Sequence, residues 1–181
     1  MKNEIISNEK IDLNKINNAK SIITNLQQEL ISCINDGCGP FLAAIYDENN
    51  NLIAKSANSV VSEKCSNNHA EMNTIKLAQN KLQTYDLSAY NLSMYVTAEP
   101  CLMCLGGIMW SGIKNLYYSV PSKIVEEITG FDEGFKPNWL DEFKSRNIVV
   151  YGNIEVELGV EQLKKYVELG NTIYKPDRNC V

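Results

Sequence analysis

The sequence predicts an α/β fold, a three-layer α-β-α sandwich on a five-stranded mixed sheet. Three observations carry that expectation. The hydrophobic period switches repeatedly between helix and strand spacing, in the order α-β-β-α-β-α-β-α-β-α. The first two strands follow each other as a hairpin and the later ones alternate with helices, a pattern that puts helices on both sheet faces. Finally, 181 residues with 44% hydrophobic content suit one domain with an ample core. No repeat, low-complexity block or linker divides the chain.

Each element has a local reason. The first residues are rich in Asn, Lys and Ile without a clean period, so residues 1–15 read as a loosely held N-terminal arm and 16–181 as the domain. From Ile16, apolar residues recur at steps of three and four through Ala19, Ile22, Ile23, Leu26, Leu30, Cys33 and Ile34. Asn35-Asp36-Gly37 stops that helix, with Gly37 as its C-terminal cap. Phe41 to Tyr46 is a short buried-strand run, Asp47 to Asn51 is turn chemistry, and Leu52 to Val61 is the return strand. Asn67 or Asn68 can cap a second helix whose buried face is Met72, Ile75, Ala78 and Leu82. Leu92, Met94 and Val96 alternate with polar neighbours, as in a strand. Pro100 then opens a third helix that runs to Gly112. Asn115 to Val120 and Asn147 to Tyr151 are strands, separated by a short helix capped by Ser122 and a helical turn or two from Trp139. A last helix is expected to run to about Tyr174.

Composition narrows the function. A net charge of −5 and a pI near 5.0 argue against a broad phosphate-binding face, so nucleic acid is not an expected partner. No apolar run approaches the ~20 residues of a membrane span, and the N-terminus lacks the basic-then-apolar order of a secretory signal. A soluble, cytoplasmic protein is expected. The six cysteines are too sparse for a disulfide scaffold and read as reduced thiols. Cys33 fits a core position. Cys38, Cys65 and Cys180 have no evident partner and read as structural or incidental.

The chemistry concentrates in two stretches, His69-Ala70-Glu71 and Pro100-Cys101-Leu102-Met103-Cys104. Cys101 and Cys104 are three residues apart in the first turn of a helix, where the dipole favours thiolate. His69, the one histidine in the chain, starts another helix. A closed structural zinc site takes four ligands, whereas three leave the fourth position for water, the catalytic arrangement. Two thiolates cancel the formal charge of Zn²⁺, so such a site gains from a nearby base, and Glu71 is available without being a ligand. Alone, each signal has a bland meaning. A Cys-x-x-Cys can be a redox pair or half a finger, a histidine can simply pack, and an acid in a first turn can serve the dipole.

Together these two stretches resemble the H-x-E and P-C-x-x-C signature of the cytidine deaminase-like zinc deaminases. The resemblance covers about residues 18–174 and implies the same sandwich fold, a catalytic Zn²⁺ on His69, Cys101 and Cys104, and Glu71 as proton shuttle. Within that family the chain most resembles bacterial guanine deaminases. Gly39-Pro40-Phe41 is similar to the approach to their first strand. Asn58 falls where the family places a base-reading amide, and Trp110 where an aromatic lines the pocket. Gly130-Phe131-Asp132-Glu133-Gly134-Phe135 resembles their Gly-Phe-Asp-Asp-x-Phe loop, which implies Glu133 in guanine binding and proton transfer. Backbone around Ala70 and Ala98 would complete the hydrogen bonding to the base. Asn58 equally fits a turn cap, Trp110 and Phe41 fit core aromatics, and Asp132 and Glu133 fit a solvated pair.

The implied function is hydrolytic deamination of a nucleobase, guanine to xanthine, with a small-molecule substrate and a homodimeric protein. Cytosine, guanosine, an aminotriazine or tRNA adenosine are the alternative substrates, since Glu133 is one methylene longer than the family's aspartate. A non-catalytic zinc-binding module is the rival of another class. The resemblance also implies that Tyr174 could reach a partner's site, though a packed terminal aromatic fits as well.

Overall fold

The computed structural model describes residues 4–175. Cys180 lies outside them. A mixed sheet has the order β1-β6-β5-β4-β2-β3. Its strands are β1 (Ile6–Ser7), β2 (Leu42–Tyr46), β3 (Leu52–Ala57), β4 (Ser93–Ala98), β5 (Asn115–Val120) and β6 (Val149–Gly152). β4, β5 and β6 run parallel, while β2 pairs antiparallel with both β3 and β4. The helices are α1 (Leu13–Asn35), α2 (Ala70–Leu82), α3 (Leu102–Ser111), α4 (Ser122–Thr129), α5 (Trp139–Ser145) and α6 (Val156–Glu168).

The three layers follow from the period-two alternation of the strands. Ala43, Ile45, Met94, Val96, Leu116, Tyr118 and Val150 face α2, α3 and α5. Leu42, Ala44, Tyr95, Tyr117 and Tyr151 face the other way, towards α1 and α6. On that face Tyr95, Tyr117 and Tyr151 stack across three parallel strands, with centroids 4.7 and 5.4 Å apart. Fully buried helix positions Ala19, Ile23, Leu26 and Leu30 cover them, which is the apolar stripe read from the sequence.

The sheet has six strands, not five. The extra strand comes from the arm expected to be loose, because Ile6 and Ser7 pair antiparallel with Gly152 and Tyr151. Asn8 continues the ladder with its side chain, donating to Ile148 O (2.9 Å) and accepting from Val150 N (3.0 Å). Two residues carry no readable period, so the sequence pattern could not reveal this strand. Asp12 then caps α1 by accepting from Asn14 N at 2.9 Å, so the helix starts at Leu13, three residues before the expected start.

Other ends also move. Gly37, with φ +87°, follows a cap at Asp36, and the bonds Gly37 N to Ile34 O and Cys38 N to Cys33 O form a Schellman motif. The return strand stops at Ala57; Asn58 still bonds across to the approach to β2, donating to Phe41 O (3.0 Å) and accepting from Gly39 N (3.1 Å), and from Ser59 the chain is bonded as turns. α6 ends at Glu168, where Gly170 at φ +69° turns the chain. Tyr174 is therefore on an extended return segment and not on the helix.

At the free edge of β3, Lys81 donates to Leu52 O (3.4 Å) and Ile53 O (3.1 Å), and Asn73 donates to Ala57 O (3.2 Å). Among the described residues, no helix is long and apolar enough to cross a membrane.

Candidate metal centre and active site

Two helix N-termini meet beyond the carboxyl end of β4. β4 ends at Ala98, and Glu99-Pro100 turns the chain so that Cys101 becomes the N-cap of α3. His69 is likewise the N-cap of α2, the position expected for Asn67 or Asn68. Both residues have extended backbone, with φ −66° and ψ 153° for His69 and φ −68° and ψ 171° for Cys101. An N-cap side chain hangs over the helix end, not along its flank. His69 and Glu71, two residues apart, can therefore address one site off the N-terminal end of α2. Cys101 and Cys104 occupy N-cap and N3, the two positions whose side chains approach in a capping box.

The donor triangle is nearly equilateral. His69 Nδ1 lies 3.5 Å from Cys101 Sγ and 3.6 Å from Cys104 Sγ, and the two sulfurs are 3.6 Å apart. Tetrahedral zinc with ordinary bond lengths requires about 3.8 Å between sulfurs and about 3.6 Å between nitrogen and sulfur. The three residues therefore fit zinc without rearrangement. No other group of three such residues converges among the described residues.

The electrostatics suit a cation. The hydrogen bond from the Cys104 thiol holds Cys101 down to about 4, with His69 adding to the effect. The same interaction and burial push Cys104 well up. One thiolate beside one thiol is what such close sulfurs allow, and loading zinc displaces the Cys104 proton. Burial pulls the His69 pKa down, but its hydrogen bond to Cys101 and the surrounding negative charge outweigh that and leave it raised.

Glu71 is 5% exposed and lines the cavity beside these ligands. Burial, then the Cys101 charge, pushes its carboxyl up. The cavity measures about 420 Å³, within the range of small-molecule sites. Phe41, Val96, Ala98 and Phe131 form apolar wall, and Glu133 faces Glu71 and the ligands from the loop after α4. Burial pushes Glu133 up to about 8, against the lowering pull of Lys136.

A cytidine and deoxycytidylate deaminase zinc-binding region matches residues 17–120, more than half of the chain. The chain belongs to the cytidine and deoxycytidylate deaminase family. Within the family, a solved guanine deaminase from Nitrosomonas europaea superposes with a TM-score of 0.78 at 36% identity, covering 81% of this chain and 83% of that one. A structure in complex with 2,6-diaminopurine gives 0.81 at 35% identity, over 87% and 85% of the two chains. The Bacillus subtilis guanine deaminase is 32% identical over 102 residues, 56% of this chain and 64% of its own. A tRNA-specific adenosine deaminase from Buchnera aphidicola is 35% identical over 82 residues, 45% of this chain and 53% of its own. The matched segments thus span less than two thirds of these two curated relatives.

Not every residue marked by the family resemblance reaches the cavity of this deaminase-family chain. Phe41 does, packed on Phe131 at 5.5 Å. Asn58 is 1% exposed and stands behind the wall, with Nδ2 donating to Tyr174 OH (2.7 Å) and Oδ1 accepting from Val60 N (3.2 Å). Ala70 is fully buried in the core, and its carbonyl accepts from Thr74 Oγ1. Trp110 is not in the pocket. It is 77% exposed on α3, under the Arg146 guanidinium at 5.9 Å. Six residues after Cys104 is almost two helical turns from the metal end, which carries Trp110 out of reach.

Tyr174 enters the cavity of its own chain, 4.9 Å from the Phe131 ring and 6.2 Å from the His69 ring. Glu99 also lines the cavity, and the sequence reading gave it no role. Its place directly before Pro100 was the available signal.

Proposed function

We propose that this protein is a zinc-dependent hydrolytic deaminase of guanine, yielding xanthine and ammonia, with a catalytic domain that takes in β1 and the start of α1 as well as residues 16–181. The observation that carries the reading is the three-donor site with an unligated, buried Glu71 beside it. Zinc held by His69, Cys101 and Cys104 would supply Lewis-acid activation of a water molecule. The rest of the chemistry falls to side chains. Glu71 accepts a proton from that water as its oxygen bonds to C2 of the base, and passes it to a ring nitrogen. Its place beside the donors without being one of them suits a group that must both take and give. Glu133 gives a proton to the departing amine as the C2–N bond breaks and regains one from the C2 hydroxyl as that becomes the keto oxygen, so guanine and water become xanthine and ammonia. The flat walls at Phe41 and Phe131 hold the ring. Asn58 reads a polar edge of the base once its amide is released from the Tyr174 hydroxyl.

A panel of guanine, cytosine, guanosine, an aminotriazine and tRNA, assayed for ammonia release, tests the substrate. Guanine is expected to lead. In Glu133→Ala, turnover of guanine should fall about a hundredfold, a typical general-acid contribution, and that of cytosine by clearly less. Equal losses on both bases would remove Glu133 from guanine recognition.

The same reading makes the protein a cytoplasmic homodimer. An exposed apolar stripe supports this. Leu102 (44% exposed), Gly106 and Trp110 (77% exposed) recur at every fourth position of α3, and a Cβ at Gly106 would meet open space. A second copy of this face is the proposed cover. Light scattering should give twice the 20.4 kDa chain mass, reduced to one chain mass by Trp110→Glu. A dimer indifferent to that charge would move the interface elsewhere.

A further inference from the structure

Glu133 sits on a loop without regular structure, between Gly130 at φ +78° and Gly134 at φ +71°. Two anchors hold that loop, one on each side of Glu133. The first is Phe131, 5% exposed among Phe41, Tyr166 and Tyr174. The second is Lys136. Its ammonium lies 3.1 Å from Glu99 Oε1 and also donates to Ser122 Oγ. Both side chains of the pair are only 13% exposed, unlike the exposed ion pairs elsewhere on the surface.

Glu99 is itself fixed. Its amide donates to Val120 O (2.8 Å) and its Oε2 accepts from Ser122 N (2.9 Å). It is also the residue before Pro100-Cys101. Lys136 therefore ties the Glu133 loop to the turn that delivers a metal ligand. A surface pair would add little, but a desolvated one resists separation, because breaking it strands a charge. Between the anchors, the Glu133 amide donates to Glu126 Oε1 (3.1 Å), a contact from an exposed side chain of α4 that alone would hold the segment weakly.

We infer that Lys136 is a positioning residue for the active site, clamping the Glu133 loop onto Glu99 so that the Glu133 carboxyl stands over the cavity. The inference rests on the proposed role of Glu133. It does not require Lys136 to touch substrate.

The test uses zinc-loaded, full-length protein carrying Lys136→Met or Lys136→Arg. Hydrogen exchange at residues 131–136 should speed up in Lys136→Met and return towards normal in Lys136→Arg. This readout is independent of the substrate, so it stands even if guanine proves to be the wrong base. On guanine, Lys136→Met should lose at least about tenfold in kcat with a smaller change in KM, as expected when a reacting group is misplaced but the ring walls survive. Arginine should recover most of that loss. In a Glu133→Ala background, Lys136→Met should cost almost nothing further, because its effect acts through Glu133. Unchanged loop exchange, or a full additional loss in the Glu133→Ala background, would overturn the assignment. If Lys136→Met fails to fold, Glu99→Gln, which weakens the same pair from the other side, takes its place in each measurement.

Discussion

In Glu71→Gln, zinc content stays at that of the parent while ammonia release from guanine falls about a thousandfold or more. The side chain keeps its size and can still form hydrogen bonds in a site where Glu71 is 5% exposed. What it loses is the ability to accept a proton. Glu71 is also not one of the three metal donors, so the ligand triangle has no reason to change. The measurement is paired metal analysis and steady-state turnover. Near-parental turnover would end the proton-shuttle role, and loss of zinc would show that Glu71 supports the metal. A non-catalytic zinc module makes the opposite forecast, because removing the carboxylate would then have no chemical consequence.

The second large effect concerns the triangle itself. Cys104→Ser replaces a fully buried donor whose sulfur lies 3.6 Å from both His69 Nδ1 and Cys101 Sγ. Zinc binding at thiolate-rich sites is worth about 10–16 kcal/mol, so one donor of three carries roughly 3–5 kcal/mol, or two to four orders of magnitude in affinity. Activity should fall with occupancy, and excess zinc should recover only part of it. The melting temperature should fall too, because this metal links the N-termini of two helices packed on the same sheet face. Competition with a chromophoric chelator gives the affinity. Binding within threefold of the parent would mean that Cys104 is not a ligand.

The parts of the site legible in the sequence were those whose function dictates both residue type and spacing. His69, Glu71, Cys101 and Cys104 belong to that class. Their N-cap placement was not legible, because it depends on where each helix begins, and helix ends shift by a residue or two with little energetic cost. The interior strands were readable from alternation. β1 was not, since two residues are held by backbone pairing and by the Asn8 side chain. Trp110 was misplaced because the six-residue step from Cys104 carries it almost two turns along α3, away from the metal end. Tyr174 comes to the cavity through a turn at Gly170, and Lys136 comes to Glu99 at the end of a glycine-flanked loop, so only the folded structure shows either contact.

The hydrogen bonds along β3 have a consequence for the protein at high concentration. An open strand edge is a template for any extended chain, including another copy of itself. Here the acceptors at both ends of that template are already taken, by a lysine ammonium and an asparagine amide from α2. At the opposite margin the last strand is only two residues long. Neither border of the sheet offers a long run of free pairing groups, so fibrous growth by strand addition is disfavoured at each end, and the helical faces are left as the surfaces through which copies can meet.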